Sequence, residues 1–297
     1  MNFQENITNI ANDYEYFILD IWGVIHDGSQ TYPGVIDRLK YLRKLGKKIC
    51  FLSNAPRRAG KVADTLNKMG ITSDLYDFII TSGEAAYLFL QENQPNTSGF
   101  ERLFDRELNK NNFSYYYIGP EKDADLLNGL GFKATTKANE ANFVVATGFD
   151  HDLSKIDEKL PQLKEAIKYN LTMICVNPDL IVVKQSGLEL ICAGVMALEY
   201  QKMGGKVVYF GKPYNLVYEQ VFRLFFQPNK AKVLAIGDGI ETDILGANNN
   251  GIDSALVAGG ILSNKLKIKH GQLPDKNIMK QVCEHYKTYP KFVIASL

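Results

Sequence analysis

The chain has 297 residues, 45% of them hydrophobic and 23% charged, with a net charge of +1. That length suits two domains, or one α/β domain carrying an insertion, and the near-neutral balance excludes a global field drawing the protein to nucleic acid or an anionic membrane. The N-terminal segment has neither a basic start nor a long apolar run, no stretch approaches the roughly 18 apolar residues of a membrane span, and a cytoplasmic protein is expected.

The first strand signal is YEYFILDIWGV, an apolar run of the kind that suits a parallel strand buried on both faces. Asp20 interrupts it and should lie at the strand's C-terminal end, where open α/β sheets bind ligands. GVIDRLKYLRKLG follows with Val35, Ile36, Leu39, Leu42 and Leu45 at helical spacing and Gly46 as a stop. KKICFLSNAP reads as a second strand, RAGKVADTLNKMG as a helix closed by Gly70, and YDFIITSGEAAYLFL as a strand passing through Ser82 and Gly83 into a helix. This alternation implies right-handed βαβ units.

In the middle of the chain NFSYYYIG, ANFVVATGFD and LTMICVNPD read as strands and HDLSKIDEKLPQLKEAIKYN as a helix, which predicts a second α/β domain. KVVYFGKP, KVLAIGDG and DSALVAGG are three more strand-to-loop junctions, so the first domain is expected to resume near Lys206. The expected layout is a core over 1–82 and 206–297, interrupted by a domain over 83–205. The tail predicts a helix and a final strand. Cys50, Cys175, Cys192 and Cys283 show neither metal-ligand nor redox spacing and are expected as buried, reduced thiols.

Four strand ends carry polar groups in order: Asp20, then Ser53 and Asn54, then Lys212, then Asp238 and Asp243. Taken singly, each has an ordinary reading as a turn or a solvated loop. Together they match what phosphoryl transfer to a carboxylate requires. Asp20 is the candidate nucleophile. Asp238 with Asp20 would hold Mg²⁺, a hard cation that takes few carboxylates. Ser53, Asn54 and Lys212 would bind and orient the phosphoryl oxygens, and Asp243 would fix Lys212 or a metal-bound water.

The segments FILDIWGVIHDG, FLSNAPR, GKP and GDGIETDILGA resemble, in order and separation, those of the haloacid dehalogenase superfamily hydrolases of the NagD-like, p-nitrophenylphosphatase-like class. The resemblance implies a Rossmann-like α/β core with a parallel sheet, interrupted by an α/β cap domain of the C2 type. It also implies that the backbone carbonyl of Trp22 joins the metal shell, and it points by analogy to a homodimer through the cap. VNPD, from Val176 to Asp179, resembles the cap segment near the substrate, so Asn177 and Asp179 are candidate substrate contacts; Asn-Pro-Asp is equally the chemistry of a simple turn. GLELICAG occupies the region of the family's glycine-rich loop.

One position departs from the family pattern. Where the first motif has Asp-x-Asp-Gly, this chain has Asp20-Ile21-Trp22-Gly23. In the family's phosphatases the second acid protonates the leaving alkoxide and then activates water, and a positioned acid–base of this kind typically supplies about 10²–10⁴-fold. An indole does neither, which predicts a bias toward activated phosphates. His26 has the acidity to replace the lost acid, or it is a surface loop residue beside the Asp27-Gly28 turn. Trp22 itself would exclude water or stack on a planar substrate.

The leading expectation is a Mg²⁺-dependent phosphatase of small phosphorylated metabolites, acting through an aspartyl phosphate on Asp20. Two alternatives stand beside it: a related hydrolase of carbon–halogen or carbon–phosphorus bonds, and a phosphometabolite-binding protein impaired in turnover. Dehalogenation needs no metal, so the retained Asp238 and Asp243 argue against it. No basic stripe interleaved with aromatic residues points to nucleic acid.

Overall fold

The computed structural model describes residues 1–93, 113–183 and 188–297. The chain divides into two compact units, one of Met1–Ser53, Gly60–Ile80 and Lys212–Leu297, the other of Asn54–Ala59 and Thr81–Gly211. In chain order the strands are β1 (Asn2–Gln4), β2 (Tyr16–Leu19), β3 (Lys48–Ser53), β4 (Phe78–Thr81), β5 (Ser114–Ile118), β6 (Lys133–Thr135) and β7 (Phe143–Ala146). They continue with β8 (Thr172–Cys175), β9 (Ile181–Val183), β10 (Glu189–Ile191), β11 (Val207–Tyr209), β12 (Val233–Gly237), β13 (Asp253–Val257) and β14 (Phe292–Ile294).

In the first unit a seven-stranded sheet runs β1-β14-β13-β12-β2-β3-β4, with parallel pairing from β1 across to β3. Its inner strands β2, β12 and β13 are almost wholly buried, and the alternation of side chains sorts the sheet's residues into two cores. Ala255, Val257, Phe292 and Ile294 join Phe17, Leu19, Phe51, Leu39 and Leu42 on one face. Leu256 and Val293, one residue out of phase, join Met279 and Val282 on the other. Each fully buried Leu, Phe or Val contributes roughly 1.5–3 kcal/mol, so a one-residue slip of register would forfeit both cores. The helices Val35–Lys44 and Lys276–Tyr286 supply Leu39, Leu42, Met279 and Val282; the first lies where the helical spacing predicted it, the second in the tail, where a helix was expected.

The second unit has its own parallel sheet, ordered β11-β8-β7-β5-β6, and a two-stranded ribbon of β10 and β9, paired antiparallel. Its core packs Val144, Ala146, Met173 and Cys175 against Leu163, Ala166, Met196, Ala197 and Tyr200, the last five from the helices Leu160–Lys168 and Ala193–Lys202. The α/β class, with one parallel sheet interrupted in sequence by a second α/β unit, is as expected.

The expected return to the first domain at Lys206 is corrected. β11 pairs with β8 through Val207↔Met173 and Tyr209↔Cys175, and the chain re-enters the first unit only at Lys212. An apolar strand signal does not say which sheet receives it. Gly211 closes this segment at φ +132°, with no room for a Cβ beside Ser82, Asn54 and Pro178. The N-terminal residues, to which the sequence pattern assigned no strand, contain the edge strand β1, paired with β14. Asn112 of NFSYYYIG and Gly187 of GLELICAG lie outside the described residues. Among the described residues no helix is long and apolar enough to cross a membrane, and the four cysteines are free and buried.

Candidate active site

β2 lies between β12 and β3 in the first sheet. The chain leaves β2 toward β3 and β4 and returns later on the other side as β12, which makes the β2/β12 boundary a topological switch point, the place where parallel α/β sheets bind ligands. Asp20 directly follows β2, its amide donating to the Ile236 carbonyl at 2.8 Å. Asp238 directly follows β12, and Ser53 ends β3. The sequence order of the polar groups is thus converted into adjacency along one edge of the sheet.

Lys212 ties this edge together. Its Nζ donates to Asp20 Oδ1 at 2.5 Å and to Asp243 Oδ1 at 2.7 Å, with all three side chains buried. Asp243 stands in a single wide turn, Ile240–Ile244, with the hydrogen-bond period of a π-helix. Its Oδ2 accepts from the Gly239 amide at 3.1 Å and the Thr242 hydroxyl at 3.3 Å, so both oxygens are engaged. Gly237 has no space for a Cβ, which would overlap the Asp243 carboxylate.

Asp20, Asp238 and Asp243 each bring one oxygen within 4.8 Å of the others. With Lys212 as the ammonium among them, the group carries a formal charge of −2 when all four are ionised. Burial pushes the Asp20 carboxyl well above the ordinary carboxylate range; Lys212 pulls it down, while Asp243 and Asp238 push it further up. Burial disfavours charge on Lys212 too, but Asp20 and Asp243 overcome this and hold it protonated above the usual ammonium range. A buried excess of hard carboxylate oxygens fits a divalent cation of the magnesium or calcium type.

Two glycines bring backbone against Asp238. A Cβ on Gly23 (φ +82°) or on Gly260 would overlap its carboxylate, and the Ile261 amide donates to Asp238 Oδ2 at 2.7 Å. The Trp22–Gly23 segment therefore lies against Asp238, as a metal contact from the Trp22 carbonyl would require. The role of residues 260 and 261 was missed in the sequence, where Gly259-Gly260 registered only as the end of a strand; a glycine pair at the end of a strand neighbouring the Asp238 strand was the available signal. Tyr218 was missed as well. It is buried, and burial with the nearby Asp243 and Asp20 raises its hydroxyl pKa against the pull of Lys212.

The Trp22 side chain is 40% exposed. Its ring meets His26 edge to face at 5.5 Å and lies so close over Gly28 (φ +100°) that a Cβ there would overlap it. His26 is not a surface residue, being 6% exposed. Its Nδ1 accepts from the Gly28 amide at 3.0 Å, and burial lowers its pKa although Asp27 opposes this. Asp27 closes the expected turn by accepting from the Ser29 amide, the Ser29 hydroxyl and the Gln30 amide.

Asn54, Asn177 and Asp179 come together in the second unit. Asn54 Nδ2 donates to Asp179 Oδ1 at 2.7 Å, and the Ser82 hydroxyl reaches Asn54 Oδ1 at 3.4 Å. The Asp179 amide donates to Asn177 Oδ1 at 3.2 Å, so the VNPD segment does form the turn its composition suggested. Nothing in local sequence signals the Asn54–Asp179 pair, whose members are 125 residues apart.

Residues 17–133 match a family model described as haloacid dehalogenase-like hydrolase, and residues 209–285 match a second haloacid dehalogenase-hydrolase-like model. An acid sugar phosphatase of Staphylococcus saprophyticus is 22% identical over 280 residues, covering 94% of this chain and 99% of that one. A 5'-nucleotidase of Bacillus subtilis is 26% identical over 251 residues, covering 84% and 88%. Among solved structures, a haloacid dehalogenase-like hydrolase from Brucella suis superimposes with a TM-score of 0.79 at 26% identity, over 99% of each chain.

Proposed function

The chain belongs to the haloacid dehalogenase-like hydrolases, and we propose that within them it is a Mg²⁺-dependent phosphatase of small phosphorylated metabolites, acting through an aspartyl phosphate on Asp20. The observation that carries this reading is Lys212 bridging Asp20 and Asp243 while Asp238 stands in the same group of carboxylates. The sugar phosphatase and nucleotidase similarities support phosphoric monoesters as the substrate class.

In this reading one Asp20 oxygen attacks phosphorus, the bond to the ester oxygen breaks, and the leaving group departs with the electron pair. Water then attacks the phosphorus of the acyl phosphate, releasing inorganic phosphate and restoring the Asp20 carboxylate. Lys212 offsets charge on the attacked phosphoryl group and is kept in place by Asp243; Ser53 donates to a phosphoryl oxygen. Asp20, Asp238 and the Trp22 carbonyl would hold the cation, which when bound offsets phosphoryl charge. The Asn54–Asp179–Asn177 group is proposed as a set of substrate contacts in the second unit. Position 22 offers no carboxylate to protonate the leaving group, so turnover is expected to favour acyl and aryl phosphates over alkyl esters.

Phosphate release is to be measured with millimolar Mg²⁺ on acetyl phosphate, p-nitrophenyl phosphate, sugar phosphates and nucleotides. Asp20→Asn is expected to cut turnover to less than about a thousandth; an unchanged rate removes Asp20 from the chemistry. The indole at position 22 favours a second reading, a phosphometabolite-binding protein. Ligand binding without turnover of any substrate would select it.

A further inference from the structure

Two exposed apolar side chains emerge from backbone that touches the Asp238 carboxylate. Trp22, 40% exposed, immediately precedes Gly23; Ile261, 44% exposed, immediately follows Gly260, and both glycines are packed against Asp238 too closely to carry a Cβ. Ile261 is also held there by its own amide, bonded to Asp238 Oδ2 at 2.7 Å. Single exposed apolar residues are common and need no explanation. Two that flank one buried carboxylate, at the edge where the reacting groups converge, are a different matter.

The indole is also fixed in place. One side is closed by Gly28 and its edge contact is with His26, whose imidazole is buried and accepts a hydrogen bond from the Gly28 amide. His26 and Gly28 thus hold the ring while leaving 40% of the residue accessible. A large flat surface of this kind binds a planar partner with little entropy to lose, and aromatic pairs gain from stacking beyond the area they bury.

Resting on the phosphatase reading of this cluster, we infer that Trp22 and Ile261 form an apolar shelf that binds a planar aromatic leaving group of the phosphoester substrate. The chemistry is self-consistent. An aryl leaving group is a weaker base than an alkoxide and departs without a strong acid, so one residue both removes the acid and supplies the surface for the group that does not need it.

The chain has one tryptophan, so its emission reports on Trp22 alone. With Mg²⁺ present, phenylphosphonate is expected to change that emission and to bind about three- to tenfold more tightly than methylphosphonate, the gain an aromatic pair provides. Calorimetry on the variants completes the test. Trp22→Phe should keep most of the preference; Trp22→Ala and Ile261→Ala should each reduce it, and the ratio of kcat/KM for 2-naphthyl phosphate to that for acetyl phosphate should fall by a similar factor. Ile261→Ala keeps the test decisive if Trp22→Ala fails to fold. Equal affinity for the two phosphonates in the wild type, or a preference that survives in both alanine variants, overturns the shelf. Phosphonate discrimination without turnover of any phosphoester would sustain the shelf while overturning the phosphatase reading.

Discussion

Asp20 carries its carboxylate into a buried group with two other acids and a single ammonium, and its pKa is raised as a result. A folded-state pKa above the unfolded value of about 3.9 means that the group's favourable contribution is complete below that value and is lost as the pH rises through the folded pKa. Removing the charge without changing the shape should therefore stabilise the metal-free protein at neutral pH, even as it destroys the nucleophile. In EDTA, Asp20→Asn is expected to melt a few degrees above the wild type at pH 8, at about 2–4 °C per kcal/mol for a chain of this size, with the gap closing toward pH 4. Scanning fluorimetry at the two pH values measures it. A variant that melts lower at pH 8 would show that the Lys212 ion pair outweighs the repulsion. At this scale the sequence was informative, because Asp20, Ser53 and Asp238 stand at or beside a strand end and Lys212 and Asp243 lie in the segments that follow one. It was uninformative where geometry depends on distant packing: the burial of His26 and the Asn54–Asp179 bond have no local signature.

Among the elements, β12 joins fold to site most directly. Its five residues are all buried, its neighbours β2 and β13 are both parallel, and its last residue, Gly237, leaves room for the Asp243 carboxylate that holds Lys212. Gly237→Ala puts a methyl group where that carboxylate stands. The expected result is a fall in kcat of about 10²-fold, the cost of misplacing a reacting group by roughly an ångström, in a protein that still folds. An unchanged kcat would show that Asp243 is not needed to hold Lys212 in position. The inner strands of the first sheet, β2, β12 and β13, were legible because burial on both faces leaves near-continuous apolar runs, whereas the edge strand β1, with no fully buried residue, left no such run. The wide turn Ile240–Ile244 was not, since its hydrogen-bond period leaves no pattern in five residues, and β11 was placed in the wrong sheet because partner choice is a long-range property.

For the whole molecule, charge is distributed against stability. The chain is nearly neutral at +1, yet the buried group of Asp20, Asp238, Asp243 and Lys212 carries a formal −2 when ionised, so a divalent cation would cancel locally what the rest of the chain does not. A cation bound only by the folded state adds about 2.7 kcal/mol at 100 times its Kd, which for this length is roughly 5–10 °C in Tm. Mg²⁺ is expected to produce that rise in the wild type and to lose most of it in Asp238→Ala; an equal rise in the variant would place the cation elsewhere. The carboxylates and Lys212 all belong to the first unit, so if melting resolves into two transitions, only the one in which this unit unfolds should move. The effect should also be non-additive with Asp20→Asn. The substitution and the cation relieve the same repulsion, and the substitution removes a ligand, so Mg²⁺ should stabilise the Asn variant less than the wild type. Independent, additive shifts would mean that Asp20 and the cation do not share a site.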